Sequence, residues 1–279
     1  MLHSPSNRSP DAILDRHFDS AGVPIRFVEA GAGEPVVLLH SFTGSFERDF
    51  VRSGLFAALA TRFRAIGVDL RGHGKSGKPH DPRQYGPEMA LDVVRLLDHL
   101  NVRKAHVVGY SLGAHVAAQL VTLHPERCIT LTLGGSPGRR RWSDDDDRRV
   151  AVEAAELDRG ELRSQILRLW PKDAAAPSEE EIGARTTQYL EGNDPKALAA
   201  VRRANWEQVV DDAQLAATGT PILGVVGSED DYLGEFHEQA KVVQQLELVV
   251  LDGAAHGDAC GRPEFRDALL AFLDAHASA

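Results

Sequence analysis

Ser111, Asp230 and His256 stand where three side chains can cooperate in nucleophilic catalysis. Ser111 is the centre of Gly109-Tyr110-Ser111-Leu112-Gly113, which follows the apolar Val107-Val108 and precedes a stretch with helical spacing. A serine hydroxyl is a poor nucleophile until a base reaches it, and a sharp strand-to-helix turn with small flanking residues projects it clear of the backbone. The helix N-terminus behind it supplies N–H groups that favour developing negative charge. His256 lies in Leu251-Asp252-Gly253-Ala254-Ala255-His256, and Asp230 in Val226-Gly227-Ser228-Glu229-Asp230, each just past a strand-like run. Gaps of 119 and 26 residues give the chain order Ser, Asp, His. That order accompanies G-x-S-x-G and differs from the His-first and Asp-first orders of other serine hydrolases. The chemistry expected is acyl transfer, with His256 as base and Asp230 orienting it. A serine that merely capped a helix would need neither partner.

The elements that must position these residues are legible in outline. Ile25–Glu29 alternates like a half-buried strand. Val36–Leu39, Ala65–Val68, Ala105–Val108, Ile129–Leu133, Ile222–Val226 and Leu246–Leu251 are short, largely apolar runs suited to strands covered on both faces. Helical faces lie between them: Val93, Leu96, Leu97 and Leu100; Leu112, Val116, Leu120 and Leu123; and Phe265, Leu269, Phe272 and Leu273 after Pro263. Alternating strands and helices predict an α/β fold with a mostly parallel central sheet flanked by helices. All three serine-site residues would then emerge at the C-terminal edge of the sheet. From 137 to 213 the alternation stops, leaving helical segments separated by Pro171, Pro177, Asn193 and Pro195. Its stripes are Leu162, Ile166, Leu169 and Trp170, then Ile182, Thr186, Tyr189 and Leu190, and all three tryptophans fall here. The expected organisation is a flexible tail over 1–14, a core of 15–136 and 214–279, and a helical insertion over 137–213.

Composition narrows the partners. Lys+Arg 31 against Asp+Glu 41 gives a net charge of −10, which counts against nucleic acid or an anionic membrane as the main partner. No apolar run approaches a membrane span, and the opening residues lack the apolar stretch of a secretory signal, so a cytoplasmic protein is expected. Cys128 and Cys260 stand alone and fit unpaired thiols in a reducing compartment. Asp144–Asp147 lack the spacing of a calcium loop and suit a solvated helix start. No metal and no cofactor is expected. The Asp69–Arg71 pair is expected to tie its loop in place. Arg139–Arg141 are expected to be a solvated basic run, although they could grip a carboxylated substrate. His40, His73 and His115 are expected to be structural or pocket-lining.

With those residues in view, the chain resembles the α/β-hydrolases with a helical cap, in particular the bacterial carboxylesterase branch. The resemblance spans about residues 15–275 and is weakest in the insertion. It rests on the Ser-Asp-His set and on three further stretches. Leu38-Leu39-His40-Ser41-Phe42-Thr43-Gly44 is similar to the family's oxyanion loop, Asp69-Leu70-Arg71-Gly72-His73-Gly74-Lys75-Ser76 to its D-x-R-G-x-G-x-S loop, and Thr220-Pro221-Ile222-Leu223 to the start of its acid-bearing strand. Ser41 departs from the usual glycine, and would be strained if the backbone there needed a left-handed angle. The family register G-x-x-D selects Asp230 over Asp231. The resemblance implies an oxyanion hole from the Phe42 and Leu112 N–H groups and a small-molecule ester as substrate, with Trp142, Trp170 and Tyr189 suggesting an apolar or aryl pocket. Lactonases, C–C bond hydrolases and perhydrolases share these parts, and some receptors of this fold keep them without turnover. Oligomeric state is not legible.

Overall fold

The computed structural model describes residues 15–170 and 175–277. The tail expected over 1–14 and the break expected at Pro171 lie outside the described residues. One sheet is built from β1 (Arg16–Ser20), β2 (Val23–Ala30), β3 (Pro35–Leu39), β4 (Arg64–Val68), β5 (Ala105–Tyr110), β6 (Cys128–Gly134), β7 (Ile222–Gly227) and β8 (Leu246–Leu251). Its spatial order is β1-β2-β4-β3-β5-β6-β7-β8. The β1–β2 and β2–β4 pairs are antiparallel, and every later pair is parallel. This is the mostly parallel α/β sheet that the apolar runs predict. Val36 to Leu39 are wholly buried because helices cover both faces of β3. β8 departs from that expectation: it is the edge strand, and Val250 is 42% exposed. β1 carries almost no sequence signal, since only Phe18 is apolar among its five residues; ladder pairing with β2 holds it.

Ten α-helices accompany the sheet among the described residues: α1 (Leu55–Ala60), α2 (Pro87–His99), α3 (Leu112–Leu123), α4 (Asp144–Asp158), α5 (Arg163–Arg168), α6 (Glu179–Leu190), α7 (Pro195–Arg203), α8 (Asp212–Ala217), α9 (Leu233–Ala240) and α10 (Pro263–Ala275). α10 buries the stripe read from the sequence, and α2 buries Val93, Leu96 and Leu97 of its own, with Leu100, just past its end, half-buried. α3 buries Leu112, Val116 and Leu120 of its stripe, but Leu123, in its last turn, is 51% exposed. Every residue from Leu112 to Val121 is buried, because Gly113, Ala114, Ala117 and Ala118 let neighbours close in on all sides. Between β6 and β7 run α4 to α8, with a single parallel bridge from Arg139 to Val209. Ser143 opens α4 with a capping box to Asp146, and Asp144–Asp147 occupy its first turn, where the helix dipole favours acids. No helix among the described residues is long and apolar enough to cross a membrane.

The loop after β4 is tied down differently from the expected Asp69–Arg71 pair. Residues two apart on a turn point to different sides, so each finds its own partner. Asp69 Oδ1 accepts from the Phe46 N–H at 3.0 Å and Oδ2 from the Lys75 N–H at 2.9 Å, with Arg26 Nη1 3.4 Å away. Arg71 reaches α2 instead and donates to both oxygens of Asp92, at 2.9 and 2.6 Å. Both ends of that pair are buried. Removing one partner of a buried ion pair leaves the other charge uncompensated. Asp92→Ala is therefore expected to lower the unfolding free energy by about 3–5 kcal/mol in urea titration, and a loss below about 1 kcal/mol, the scale of an exposed pair, would contradict this account of the loop.

Candidate active site

The turn between β5 and α3 places Ser111 at φ 54° and ψ −110°, a conformation that costs a non-glycine residue strain and persists only where its surroundings enforce it. They do so by close approach. A Cβ on Gly109 would meet the Gly113 carbonyl oxygen at 2.2 Å, and one on Gly113 would meet the Leu39 carbonyl oxygen at 2.0 Å. The Ser111 N–H donates to Gly134 O at 2.8 Å, pinning the turn to β6. Ser111 is thus wedged between β3, β6 and its own helix with its hydroxyl left facing a cavity.

Asp230 follows β7 and His256 follows β8, and the structure brings both to Ser111. His256 Nε2 lies 3.0 Å from Ser111 Oγ, and His256 Nδ1 lies 2.9 Å from Asp230 Oδ2. The Asp230 carboxylate is wholly buried, while the imidazole keeps 16% of its surface exposed toward the cavity. The Tyr232 N–H donates to the other carboxylate oxygen at 3.0 Å. Two residues that sequence reasoning missed hold the imidazole. Tyr110 Oη donates to the His256 carbonyl at 2.6 Å, and the Tyr110 and Tyr232 rings stand 5.9 and 5.5 Å from the imidazole. Burial raises the Tyr110 pKa well above its ordinary value, so the phenol keeps the proton it donates. The only sequence signal for Tyr110 was its place beside Ser111.

The Phe42 and Leu112 N–H groups have no acceptor among the described residues. Ser41 does not strain the loop, since it lies outside the positive-φ region and its N–H donates to Asp49 Oδ2 at 2.7 Å. His40 and His73 brace the same loop. The Leu70 N–H donates to His40 Nε2 at 3.0 Å, and His73 Nε2 sits 2.7 Å from Phe42 O. Burial, with His40 beside it, pushes the His73 pKa down to about 3. His115 contacts Ser136 Oγ at 3.1 Å, and burial keeps it neutral.

A cavity of about 870 Å³ opens over Ser111 and His256 and is walled by α4 to α7. Leu169, Trp170 and Tyr189 give it an apolar side, whereas Trp142 stands outside the lining with Nε1 bonded to Asp147. The basic run divides: Arg141 is exposed, Arg140 pairs with Asp212, and Arg139 turns inward to line the cavity. The expected solvated run holds only for Arg141. Cys260 also lines the cavity, and burial raises its thiol pKa well above normal.

The close approach of Gly113 to β3 generates a test. Gly113→Ala is expected to lower the unfolding free energy by about 1–3 kcal/mol, as overpacking does, when read by urea unfolding. Unchanged stability would contradict the contact on which the position of Ser111 depends.

A model of the alpha/beta hydrolase fold matches residues 34–258. Over 259 residues the chain is 31% identical to the dihydrolipoyllysine-residue acetyltransferase component of the acetoin cleaving system of Pseudomonas putida, covering 90% of this chain and 67% of that protein. It is 29% identical over 214 residues to 3-oxoadipate enol-lactonase 1 of Acinetobacter baylyi, covering 75% of this chain and 77% of the lactonase. Among solved structures, a hydrolase from Pseudomonas aeruginosa PA01 superposes with a TM-score of 0.76 at 27% identity, covering 93% of this chain and 98% of the other. By its sheet order, its strand–turn–helix serine and these likenesses, the chain belongs to the α/β-hydrolase fold family.

Proposed function

We propose that the protein is a cytoplasmic serine hydrolase that cleaves carboxylic esters of small to medium size through an acyl-enzyme intermediate. The observation that carries this reading is the unbroken chain of contacts from Asp230 through His256 to Ser111, 2.9 and 3.0 Å long, opening on a cavity large enough for such a substrate. His256 takes the Ser111 proton as Oγ attacks the ester carbonyl, while Asp230 holds the imidazole in the tautomer with Nδ1–H and stabilises its cation. The Phe42 and Leu112 N–H groups receive the oxyanion. His256 then protonates the leaving alcohol, and water repeats the sequence on the acyl group. These steps call on no metal and no cofactor. Residues 137–213 serve as a cap over the site, and residues 15–136 and 214–279 as the core that carries the catalytic groups.

Lactones are the second substrate class, supported by the likeness to an enol-lactonase over three quarters of the chain. A lactone is a cyclic ester, so every step above applies with the leaving alcohol kept on the acyl chain. The mixed lining of Trp170, Tyr189 and inward arginines narrows the apolar or aryl pocket suggested by the insertion's aromatic residues: one wall is apolar and the rest is polar and rich in arginine.

Turnover of para-nitrophenyl esters and of simple lactones is expected in the wild type. Ser111→Ala is expected to abolish it, lowering kcat by at least about 10³-fold, and Asp230→Asn to lower it by about 10⁴-fold. Equal rates for wild type and Ser111→Ala would overturn the nucleophile assignment. Slow single-turnover acylation without release would mark a ligand receptor of the same fold.

A further inference from the structure

The charge inside the cavity is opposite to that of the protein. The chain carries a net −10, yet eight arginines and two aspartates line the cavity, with no lysine or glutamate among the described lining residues. The cluster beside Ser111 is the most lopsided part. Arg168 and Arg202 converge on one buried carboxylate, Glu153, which is 2% exposed, and Arg139 lines the cavity with them. Arg168 Nε donates to Glu153 Oε1 at 2.8 Å. Arg202 Nε lies 2.9 Å from Oε2 without the alignment of a hydrogen bond, so that contact is Coulombic only. The carboxylate that acts on Arg139 is Asp146, itself paired with Arg149; the buried Nε of Arg139 has no acceptor, and its guanidinium stacks 5.1 Å from the Trp142 ring centroid.

A buried guanidinium nitrogen without an acceptor is costly, and an anion entering the cavity would supply one. Burial pulls the Arg202 pKa down to about 10, and Arg168 and Arg139 pull the same way against Glu153. The position of the cluster ties it to the site. Arg202 stacks 3.8 Å from the Phe42 ring centroid, next to the N–H assigned to the oxyanion, and Arg139 and Arg202 both act on His115, one turn after Ser111. A planar guanidinium matches a carboxylate's two oxygens.

We propose that the cavity takes esters whose acyl or alcohol part bears a carboxylate, seated between Arg139 and Arg202 while the ester carbonyl meets Ser111. This rests on the hydrolase reading above and names its substrate class. The surrounding cationic lining draws such an anion through the field of an otherwise acidic protein.

Two matched pairs test it with the full chain: mono-para-nitrophenyl adipate against para-nitrophenyl hexanoate, and para-acetoxybenzoate against phenyl acetate. In at least one pair the carboxylated ester is expected to show a kcat/KM about 10-fold or more above its neutral partner, the range of one charge-assisted contact. That ratio is expected to shrink as salt rises from about 0.05 to about 0.5 M. Arg139→Gln is expected to cut the ratio about 10-fold, with Arg139→Lys retaining part of it. Should Arg139→Gln fail to fold, the salt dependence of the wild-type ratio carries the test. Ratios of one or less in both pairs, with neutral-ester turnover still dependent on Ser111, would overturn this proposal and leave the hydrolase reading standing. A fall of both partners together in Arg139→Gln, ratio unchanged, would also overturn it, since the arginine would then serve the oxyanion. Calorimetric binding of adipate to the Ser111→Ala protein, weakened by Arg139→Gln, tests the anion site even without turnover, and absence of binding would contradict it.

Discussion

The constraint on which the rest depends is the backbone of one residue. Ser111 occupies a left-handed, extended conformation that an isolated chain would avoid, and the fold enforces it by packing backbone against backbone at Gly109 and Gly113. Several features of the sheet follow from that need. β5 must be central, since β3 and β6 have to flank the turn on both sides, and α3 must be buried on every side, since it closes down on β3. The neighbouring loops then fall into reach of the hydroxyl, because parallel strands deliver their connections to the same edge.

Much of this was legible in the sequence for a physical reason. Strands buried on both faces leave unbroken apolar runs, so β3 to β7 announce themselves. A serine between two glycines at a strand–helix junction is equally plain, because a simple helix cap has no need of glycine on both sides. The residues that escaped detection are those whose partners are distant in sequence. Nothing near β1 signals a strand, because its single inward apolar residue depends on β2. Arg71 seemed a natural mate for Asp69, but a turn separates their directions and α2 supplies Asp92. Tyr110 and Tyr232 steady His256 across the gap between strands, a geometry that spacing alone cannot express. Arg139 is the sharpest case. Three consecutive arginines look solvated in sequence, and only the folded chain, with Arg139 bridged to Val209 and lining the cavity, reveals that the first turns inward.

The charge distribution links fold to recognition. The chain carries a net charge of −10, while arginines carried on the segment between β6 and β7 line the cavity with the opposite sign. Under the proposed function, those helices supply the groups that would discriminate one ester from another. The division of labour is physical. On that proposal, backbone geometry in the sheet fixes where a bond would break, and side chains on the helices between β6 and β7 fix which molecules would bring a bond there.

The most direct test of the central claim is mass spectrometry of the protein quenched during turnover of a slow-releasing ester, or after reaction with a fluorophosphonate. The account predicts one covalent adduct, of the mass of the acyl or phosphonyl group, on the peptide that contains Ser111, and none in Ser111→Ala. Turnover that proceeds with Ser111 unmodified, or an adduct on any other residue, would contradict it.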